Sequence, residues 1–405
     1  MKPETFDIIH QTVPLLEQHG EQLADCFYKN MFRNNPEVNV FFNPAHQQSG
    51  AQQHALASVV CAYARHIDNP GQLRQALEVI FHKHVSLGIK PEHYPIVGNN
   101  LLLTLREVLG EAATTEVIES WTEAYGVLAG IFIDREDDLY QQQLIKHGWN
   151  GFKAFTLIRR HSESSNITSF YLRPTDNKSL KAYLPGQFIT LKIQLADGSQ
   201  AMRNYSLSSA PREDHYRISV KKHAGELPDH PGGVVSNRLH DNVQVGDQLL
   251  LAPPIGNFIL RMPEAVNMPL VFIAGGVGIT PLLAMLHWGL AHEPDRSFTL
   301  IQLAKNNDVL PFYEELSVLA RTYPNFQWHI RLSQSSGSQS LYLHDSEGYI
   351  DKALLDLLVP ESEANYYLCG PAAMMRTTMA ILKERGVDSS SIAAEFFGPS
   401  QYLRD

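Results

Sequence analysis

The feature that most constrains the fold is a change in the spacing of apolar residues along the chain. Up to about residue 147, apolar residues recur three and four positions apart, as in EQLADCFYKNMF and LRQALEVIFHKH, which is typical of amphipathic helices. From Gly151 the spacing drops to two in short runs such as ITSFYLRP and HYRISVKK, which predict antiparallel strands. From Met268, strand-like and helical runs alternate, beginning with PLVFIA and PLLAMLHWGL, and predict a parallel sheet with helices on both faces.

We therefore expect a multidomain protein, because 405 residues exceed what one hydrophobic core usually organises. The predicted parts are an all-α domain over 1–147, an antiparallel β-barrel over 151–262 and an α/β parallel-sheet domain over 266–405. The last helix of the first domain is predicted over Thr115–Leu144, and KHGWNGF is interpreted as a linker.

Charge and cysteine content exclude several classes of function. A net charge of −10 argues against a nucleic-acid binder or a protein of anionic membrane surfaces, since either needs a basic face. Three widely spaced cysteines, and a start without an apolar signal-peptide core, favour the cytoplasm. The uncharged stretch Ala265–Leu290 resembles a membrane span, but its glycines and proline indicate a buried strand, a tight loop and a helix start.

The phase of the helix around FHKHVSLGIKPEHY separates two neighbouring histidines. At about 100° per residue, His84 falls on the apolar face with Leu77 and Phe81, whereas His82 falls on the opposite side, toward solvent. Gly88 is expected to end the helix just after His84. An imidazole on an apolar face needs a partner, and a metal or a hydrogen bond satisfies it equally well.

Two other polar residues lie on apolar helix faces in this region. Tyr28 lines up with Met31 and Phe32, and Gln52 lines up with Leu56. Each has an ordinary structural explanation, a core tyrosine with its hydroxyl at the edge and a glutamine at a helix start. Together with His84 they suggest a pocket with an imidazole on one side and a hydroxyl and an amide on the other.

At this point the whole chain resembles the flavohaemoglobins. The resemblance implies that His84 is the proximal ligand of haem iron, that Tyr28, Gln52 and Leu56 line the distal side, and that Phe42 in VFFNP packs against the haem. The segments KHVSLGIKPEHYPIVG and AYGVLAGIFIDRE further imply that Tyr94 and Glu136 are partners of His84, and that Lys83 tunes its redox behaviour. An imidazole that donates its free N–H to a carboxylate is more electron-rich, which favours O–O chemistry over simple oxygen carriage.

Three motifs in the predicted barrel resemble the flavin-binding residues of this family. RNYS matches the family pattern Arg-x-Tyr-Ser, which implies a guanidinium for the pyrophosphate and an aromatic ring and a hydroxyl against the flavin. In GGVVSNRLH, glycines before a helix start present backbone N–H groups to phosphate. In PGQF, a phenylalanine replaces the usual tyrosine and keeps only the ring. The implied FAD contacts are Phe188, Arg203, Asn204, Tyr205, Ser206, Gly233 and Ser236.

The α/β region carries three further motifs of the same resemblance. AGGVGITP has the strand–loop–helix context of a dinucleotide fingerprint, with a proline in place of the third glycine; a purely structural tight turn is the alternative. YLCGP ends a second strand in the same way, and its cysteine is either a site thiol or a small buried apolar residue. EFFGP resembles the segment that covers the flavin, with Glu395 as an acid nearby. The implied contacts are Gly276, Val277, Gly278, Ile279, Thr280, Pro281, Cys369, Gly370, Phe396, Phe397, Gly398 and Pro399.

The resemblance implies a nitric oxide dioxygenase that carries haem b, FAD and NAD(P)H and needs no separate reductase. NAD(P)H delivers a hydride to FAD, and FAD passes single electrons to the haem, where NO and O₂ give nitrate. Three alternatives stay open: reduction of hydroperoxides, ferric iron or flavins; an oxygen carrier or haem sensor; and a reductase whose helical domain holds no haem. The preference for NADH or NADPH and the oligomeric state are not legible in the sequence.

Overall fold

In the computed structural model, the described residues are 1–42, 59–225, 232–262, 268–334, 343–360 and 363–398. The chain divides into two compact units. The first consists of Met1–Gly151 with Lys192–Met202, and the second of Phe152–Leu191 with Arg203–Gly398.

Apart from Lys192–Met202, the first unit is helical, as the apolar spacing predicts. Its longest helix, α5, packs against α1, α3 and α4, and α2 packs against α4. The helices are α1 (Pro3–Gln18), α2 (Gly20–Asn34), a stretch over 59–65, α3 (Arg74–Leu87), α4 (Tyr94–Leu109) and α5 (Thr115–His147). Short 3-10 segments lie at Pro36–Phe41, Pro70–Leu73, Pro91–His93 and Gly110–Ala112.

Local sequence explains where these helices begin and end. The Thr114 side chain accepts a hydrogen bond from the Val117 N–H and so caps the start of α5. Gly88 adopts a left-handed conformation with φ 82° and ends α3 directly after the turn that carries His84, as expected. α5 continues three residues beyond its approximate predicted end at Leu144, to the buried His147, so the linker is shorter than predicted.

After the helical region comes an antiparallel sheet, which has six strands and closes on itself. Its strands are β1 (Lys153–Ser162), β2 (Ile167–Pro174), β3 (Phe188–Gln194), β4 (Gln200–Ser206), β5 (Tyr216–Lys221) and β6 (Gln248–Leu251), in the order β4-β3-β6-β1-β2-β5. Just beyond β4, Leu207 forms an antiparallel bridge with Ile218 of β5 on the opposite edge. This bridge joins the two edges, as a barrel requires. A short helix, α6 (Val234–Asp241), connects β5 to β6.

The second sheet is parallel and carries helices on both faces, which confirms the predicted α/β architecture. The strands are β7 (Leu270–Gly275), β8 (Phe298–Ala304), β9 (Phe326–Leu332), β10 (Ser346–Glu347), β11 (Asn365–Cys369) and β12 (Ile392–Glu395). The helices are α7 (Ile279–His292), α8 (Tyr313–Thr322), α9 (Lys352–Leu358) and α10 (Ala372–Glu384). Alternate residues of β7 enter two different cores: Phe272 packs with α7 and α8, and Ile273 packs with α9 and α10.

The strand order reverses at β7, where the chain stops adding strands on one side of the sheet and begins on the other. The parallel sheet runs β10-β9-β8-β7-β11-β12, so the chain leaves β7 toward β8 on one side and returns to β11 on the other. Ligands of open parallel sheets bind at such a point, beyond the carboxyl ends of the two strands. Those ends are Gly275 and Cys369, inside the two motifs AGGVGITP and YLCGP. The Ala265–Leu290 stretch thus contains a buried strand and a helix, and none of the helices within the described ranges is long and apolar enough to cross a membrane.

Candidate functional site

In the helical unit, three side chains that are far apart in sequence converge on one carboxylate oxygen. His84 Nδ1 lies 2.8 Å from Glu136 Oε1, and the Tyr94 hydroxyl donates to the same oxygen at 2.6 Å. His84 Nδ1 is also 3.3 Å from the Tyr94 oxygen. Burial, and then the neighbouring Glu136, raise the pKa of Tyr94, so its hydroxyl stays protonated and remains a donor.

This geometry selects the tautomer of His84. Because an ionised carboxylate only accepts hydrogen bonds, the imidazole presents its N–H at Nδ1 and keeps the lone pair at Nε2. Nε2 makes no hydrogen bond to any side chain or backbone group in the described part of the chain. Its lone pair is therefore available as a metal ligand.

The residues around His84 fit haem rather than a metal ion held by protein alone. Its side chain is 32% exposed although it lies on the apolar face of α3, between the fully buried Phe81 and Val85. Among the described residues, no group of three or more His, Cys, Asp or Glu side chains is placed to hold a metal ion. A single imidazole in an apolar setting suits an iron whose other ligands come from a porphyrin.

Phe132 completes the proximal cluster, and sequence reasoning did not select it. Its ring centroid lies 5.7 Å from that of His84 and 6.1 Å from that of Tyr94, and it packs edge-on against Phe81 at 4.7 Å. It stands four residues before Glu136, one helical turn away on the same face of α5. That spacing, within the AGIFIDRE segment, was the signal available in the sequence.

Tyr28 and Phe42 form a second cluster of aromatic side chains. Their ring centroids are 5.7 Å apart in an edge-to-face arrangement, and Phe32 contacts both. Burial raises the pKa of Tyr28, which keeps its hydroxyl a hydrogen-bond donor. Phe41, the residue before Phe42 in the chain, packs edge-on against His93, with ring centroids 4.9 Å apart. The other two predicted distal residues, Gln52 and Leu56, lie outside the described residues.

The two residues before His84 in the chain differ in their exposure to solvent. Lys83 is exposed. The prediction that His82 points toward solvent is wrong: its side chain is 14% exposed and lies 3.7 Å from Glu78, which is paired with Arg135. The cause is α5, which covers this side of α3 with Arg135 and Lys146 and lowers the pKa of His82 mainly by burial.

In the barrel, the RNYS residues occupy the last four positions of β4. Burial lowers the pKa of Arg203 and raises that of Tyr205, so both groups lie in a partly desolvated environment. The Asn204 amide oxygen accepts a hydrogen bond from Thr190 at 2.8 Å, and Ser206 is buried. A half-buried guanidinium beside a tyrosine suits a ligand that combines phosphate with an aromatic ring.

Two further predicted flavin contacts frame this strand. Phe188 begins β3, is 7% exposed and packs against Gly256. Gly233 caps the start of α6, and the Ser236 hydroxyl donates to the Gly233 carbonyl at 3.0 Å. Because the first N–H groups of a helix have no acceptor within that helix, the start of α6 can present them to a phosphate.

The two turns at the switch point pack directly against each other. A Cβ on Gly278 would lie 2.3 Å from the Cys369 carbonyl oxygen, so only glycine permits this approach of the two backbones. Val277 accepts a hydrogen bond from the Thr280 hydroxyl, and Ile279 and Pro281 are fully buried in the first turn of α7. The Cys369 thiol is fully buried, and burial raises its pKa far above the usual range. Of the two interpretations of this cysteine, the structure favours the small buried residue.

The C-terminal segment follows β12, which pairs in parallel with β11. Glu395 is opposite Cys369 in this register, so the acid lies at the same edge as the turn. Phe396 packs against the core on the α9 and α10 face. Phe397 is 48% exposed, an unusually exposed aromatic ring that suits stacking on a planar ligand. Gly398 is the last described residue, and Pro399 lies beyond it.

Comparison with known families assigns the three parts of the chain. The globin family model matches residues 25–132, the oxidoreductase FAD-binding domain model matches 154–259, and the oxidoreductase NAD-binding domain model matches 272–380.

Curated relatives match along the full length. A flavohemoprotein of Rhodopirellula baltica is 43% identical over 407 residues, which cover 100% of this chain and 99% of that protein. A flavohemoprotein of Bacillus subtilis is 39% identical over 402 residues, which cover 99% of this chain and 98% of that protein.

Two solved structures extend the comparison to the fold. The flavohemoglobin of Malassezia yamatoensis, solved with bound FAD and heme, superposes with a TM-score of 0.85 at 26% identity and covers 98% of this chain. The FAD/NAD-binding domain of a nitric oxide dioxygenase from Vibrio cholerae superposes with a TM-score of 0.55 at 32% identity, with 61% of this chain and 99% of that chain covered.

Proposed function

The chain belongs to the flavohaemoprotein family of NAD(P)H-dependent oxidoreductases with haem and FAD, and on this basis we propose that it is a nitric oxide dioxygenase that detoxifies NO. Its substrates on this proposal are NO and O₂, its product is nitrate, and its site of action is the cytoplasm. The observation that carries the proposal is the convergence of His84 and Tyr94 on the Glu136 carboxylate.

His84 Nε2 is the proposed ligand of haem iron. Glu136 accepts the Nδ1–H at 2.8 Å, which makes the imidazole a stronger electron donor, and Tyr94 holds the carboxylate in place. A protein that only carries oxygen has no need of such a donor, whereas cleavage or transfer of dioxygen benefits from it. Glu136 and Tyr94 are therefore positioning residues in this proposal, and Lys83 is a tuning residue on the exposed side.

Tyr28 is the proposed hydrogen-bond donor on the distal side, together with Gln52. Because burial raises its pKa, the Tyr28 hydroxyl keeps its proton at any pH at which the protein works. Phe42, edge-on to Tyr28 at 5.7 Å, and Leu56 would restrict the space around the haem.

The second unit supplies electrons. When bound, FAD converts the two-electron hydride of NAD(P)H into the single electrons that haem iron accepts. Arg203 and the α6 N-terminus with Ser236 would hold the FAD phosphates, Tyr205 and Phe188 its ring system, and the Gly276–Pro281 turn the dinucleotide of NAD(P)H. We retain 1–147, 151–262 and 266–405 as the proposed limits of the haem, FAD and NAD(P) domains.

A combined spectroscopic and electrode experiment tests the proposal. Purified protein should show a Soret band and a flavin shoulder, and should consume NO only when NADH or NADPH and O₂ are both present. NO loss without O₂ would indicate a reductase, and a haem and flavin spectrum without NO loss would favour a sensor. Absence of the Soret band would contradict the haem assignment itself.

Replacement of Tyr28 by phenylalanine tests the distal donor. Loss of a hydrogen bond to a charged group costs about 1.5–3 kcal/mol, so NO turnover should fall roughly 10- to 100-fold. Flavin reduction by NADH should not change, because Tyr28 lies in the helical unit. Tyr63→Phe is the matched control, since it removes a buried hydroxyl that donates to the Ala124 carbonyl in the same unit. Equal loss in both variants would contradict a specific role for Tyr28.

A further inference from the structure

The second unit contains a partly buried cluster of charged side chains that lies outside the proposed cofactor sites. The Arg217 guanidinium of β5 donates to both oxygens of Glu315 on α8, at 2.8 Å and 3.1 Å. His287 Nε2 of α7 lies 2.5 Å from Glu315 Oε1. The Arg217 side chain is 7% exposed, and those of Glu315 and His287 are 26% and 25% exposed.

The surroundings of Arg217 fix its geometry further. Its Nε and one terminal nitrogen donate to the Ser208 carbonyl. Its guanidinium lies 5.5 Å from the ring centroid of Phe312. Phe312 caps α8 in a left-handed conformation with φ 62°, which is a strained conformation for a residue with a side chain. A second carboxyl, Glu163, is buried beside Arg217.

The cluster joins the barrel to the parallel sheet. Arg217 is a barrel residue, whereas Glu315 and His287 stand on helices that cover one face of the parallel sheet. A second hydrogen bond joins the same two parts: the Ser165 N–H, in the turn between β1 and β2, donates to the Asp308 carbonyl, in the turn before α8, at 2.8 Å. β5 also contacts the turn Gly276–Gly278, so the cluster lies on the strand that borders the dinucleotide turn.

A partly buried ion pair such as Arg217–Glu315 constrains geometry more than it adds stability. The cost of removing two charges from water offsets most of their attraction, so an apolar replacement is often as stable. A bidentate guanidinium–carboxylate pair, however, tolerates little rotation of one partner against the other. Hydride transfer is sensitive to such rotation, because a misplacement of about 1 Å can slow a reaction roughly 100-fold.

We propose that Arg217, Glu315 and His287 form an interdomain latch that sets the orientation of the NAD(P)-binding sheet against the FAD barrel for hydride transfer. The three are positioning residues: Arg217 holds the carboxylate from the barrel, and His287 holds it from α7. This inference depends on the NAD(P)H-dependent reduction of FAD and not on the reaction with NO. Failure of one proposal therefore leaves the other intact.

Anaerobic stopped-flow reduction of FAD in the full-length protein tests the latch. Glu315→Gln should lower the rate of flavin reduction at saturating NADH by about tenfold, with less than roughly threefold change in the apparent Kd for NADH. Glu315→Asp, which keeps the charge, should recover part of the rate. Glu314→Gln is the matched control, because it removes the same charge from the neighbouring exposed residue and should leave the rate unchanged. A native rate in Glu315→Gln, or equal losses in both glutamine variants, would overturn the proposal.

Hydrogen exchange supplies a readout that does not depend on turnover. Release of the latch should speed exchange of the Ser165 amide, whose acceptor lies across the junction, by about tenfold, while amides of β7 and β8 stay protected. If Glu315→Gln fails to retain FAD, Arg217→Lys replaces it, since lysine keeps the charge and loses the bidentate contact. Native flavin reduction and native Ser165 exchange in Arg217→Lys would overturn the proposal in that case.

Discussion

At the scale of single residues, the Glu136 carboxylate decides what the His84 imidazole can do. It accepts the Nδ1–H at 2.8 Å, is 3% exposed and is held by Tyr94 at 2.6 Å. A buried acceptor with a second donor on the same oxygen cannot turn away to water, so His84 is fixed both in tautomer and in ring orientation. On the proposed function, this contact sets the electron density that reaches iron.

Glu136→Gln is expected to weaken the electron donation by His84. An amide accepts the Nδ1–H less strongly than a carboxylate, so the iron–histidine stretching frequency of the ferrous protein should fall in resonance Raman spectra. Asp137→Asn is the control, because it removes a charge from the adjacent exposed residue of α5. An unchanged frequency in Glu136→Gln would show that the carboxylate does not tune the ligand.

The individual residues were predictable to different degrees. Helix phase alone favoured His84 over His82 as the residue on the apolar face. Both lie in one regular helix, whose geometry fixes the angle between the two side chains. The same phase gave the wrong environment for His82, because α5 covers that side of α3. This contact is distant in sequence: Glu78 and Arg135, which pair across the two helices, are 57 residues apart. The partnership of His84 with Glu136 spans 52 residues and came from the family resemblance, not from periodicity.

At the scale of elements, the two turns at the switch point depend on glycine for a packing reason. Gly278 brings the turn after β7 against the Cys369 carbonyl at the end of β11. The sequence predicted these two strand–turn–helix units separately. Their contact follows only from the order of the parallel sheet, in which β7 and β11 are neighbours.

Gly278→Ala is therefore expected to destabilise the second unit. The added Cβ would lie 2.3 Å from a backbone oxygen that cannot move alone, which should cost about 2 kcal/mol of the free energy of unfolding. Thermal release of FAD fluorescence measures the effect. Gly126→Ala in α5 is the contrasting control, since its Cβ meets nothing within 4 Å and should not destabilise its helix. Equal stability of native protein and Gly278→Ala would contradict the packing argument.

At the scale of the whole molecule, the spacing of apolar residues predicted the three kinds of architecture. It did not predict contacts between residues that are far apart in sequence. The predicted strands ITSFYLRP and HYRISVKK match β2 and β5 to within one or two residues, because alternation is a local property. The strand over Lys153–Ser162 was not predicted, because its long polar end, RRHS, weakens the alternation. Arg217 and Glu315 are 98 residues apart, and no local pattern relates them.

The acid sensitivity of the second unit should reflect Glu315. Burial alone would raise its pKa, but the hydrogen bond to His287 and the charge of Arg217 lower it to about 2. Because the pKa falls on folding, the contact stabilises fully above the pKa of an unfolded glutamate, about 4.3, and is lost as pH falls toward 2. Glu315→Gln should thus cost about 3 kcal/mol at pH 7 in urea unfolding, and this difference should shrink below about pH 4.5. A difference that does not vary with pH would contradict this assignment.

The fate of the oxygen atoms tests the proposed reaction most directly. With NADH, unlabelled NO and ¹⁸O₂, mass spectrometry of the nitrate product should show that both added oxygen atoms carry the label. His84→Ala, which removes the proposed iron ligand, should abolish this product while the second unit still reduces FAD. Nitrate without the label, or nitrous oxide as the main product, would contradict the assignment as a nitric oxide dioxygenase.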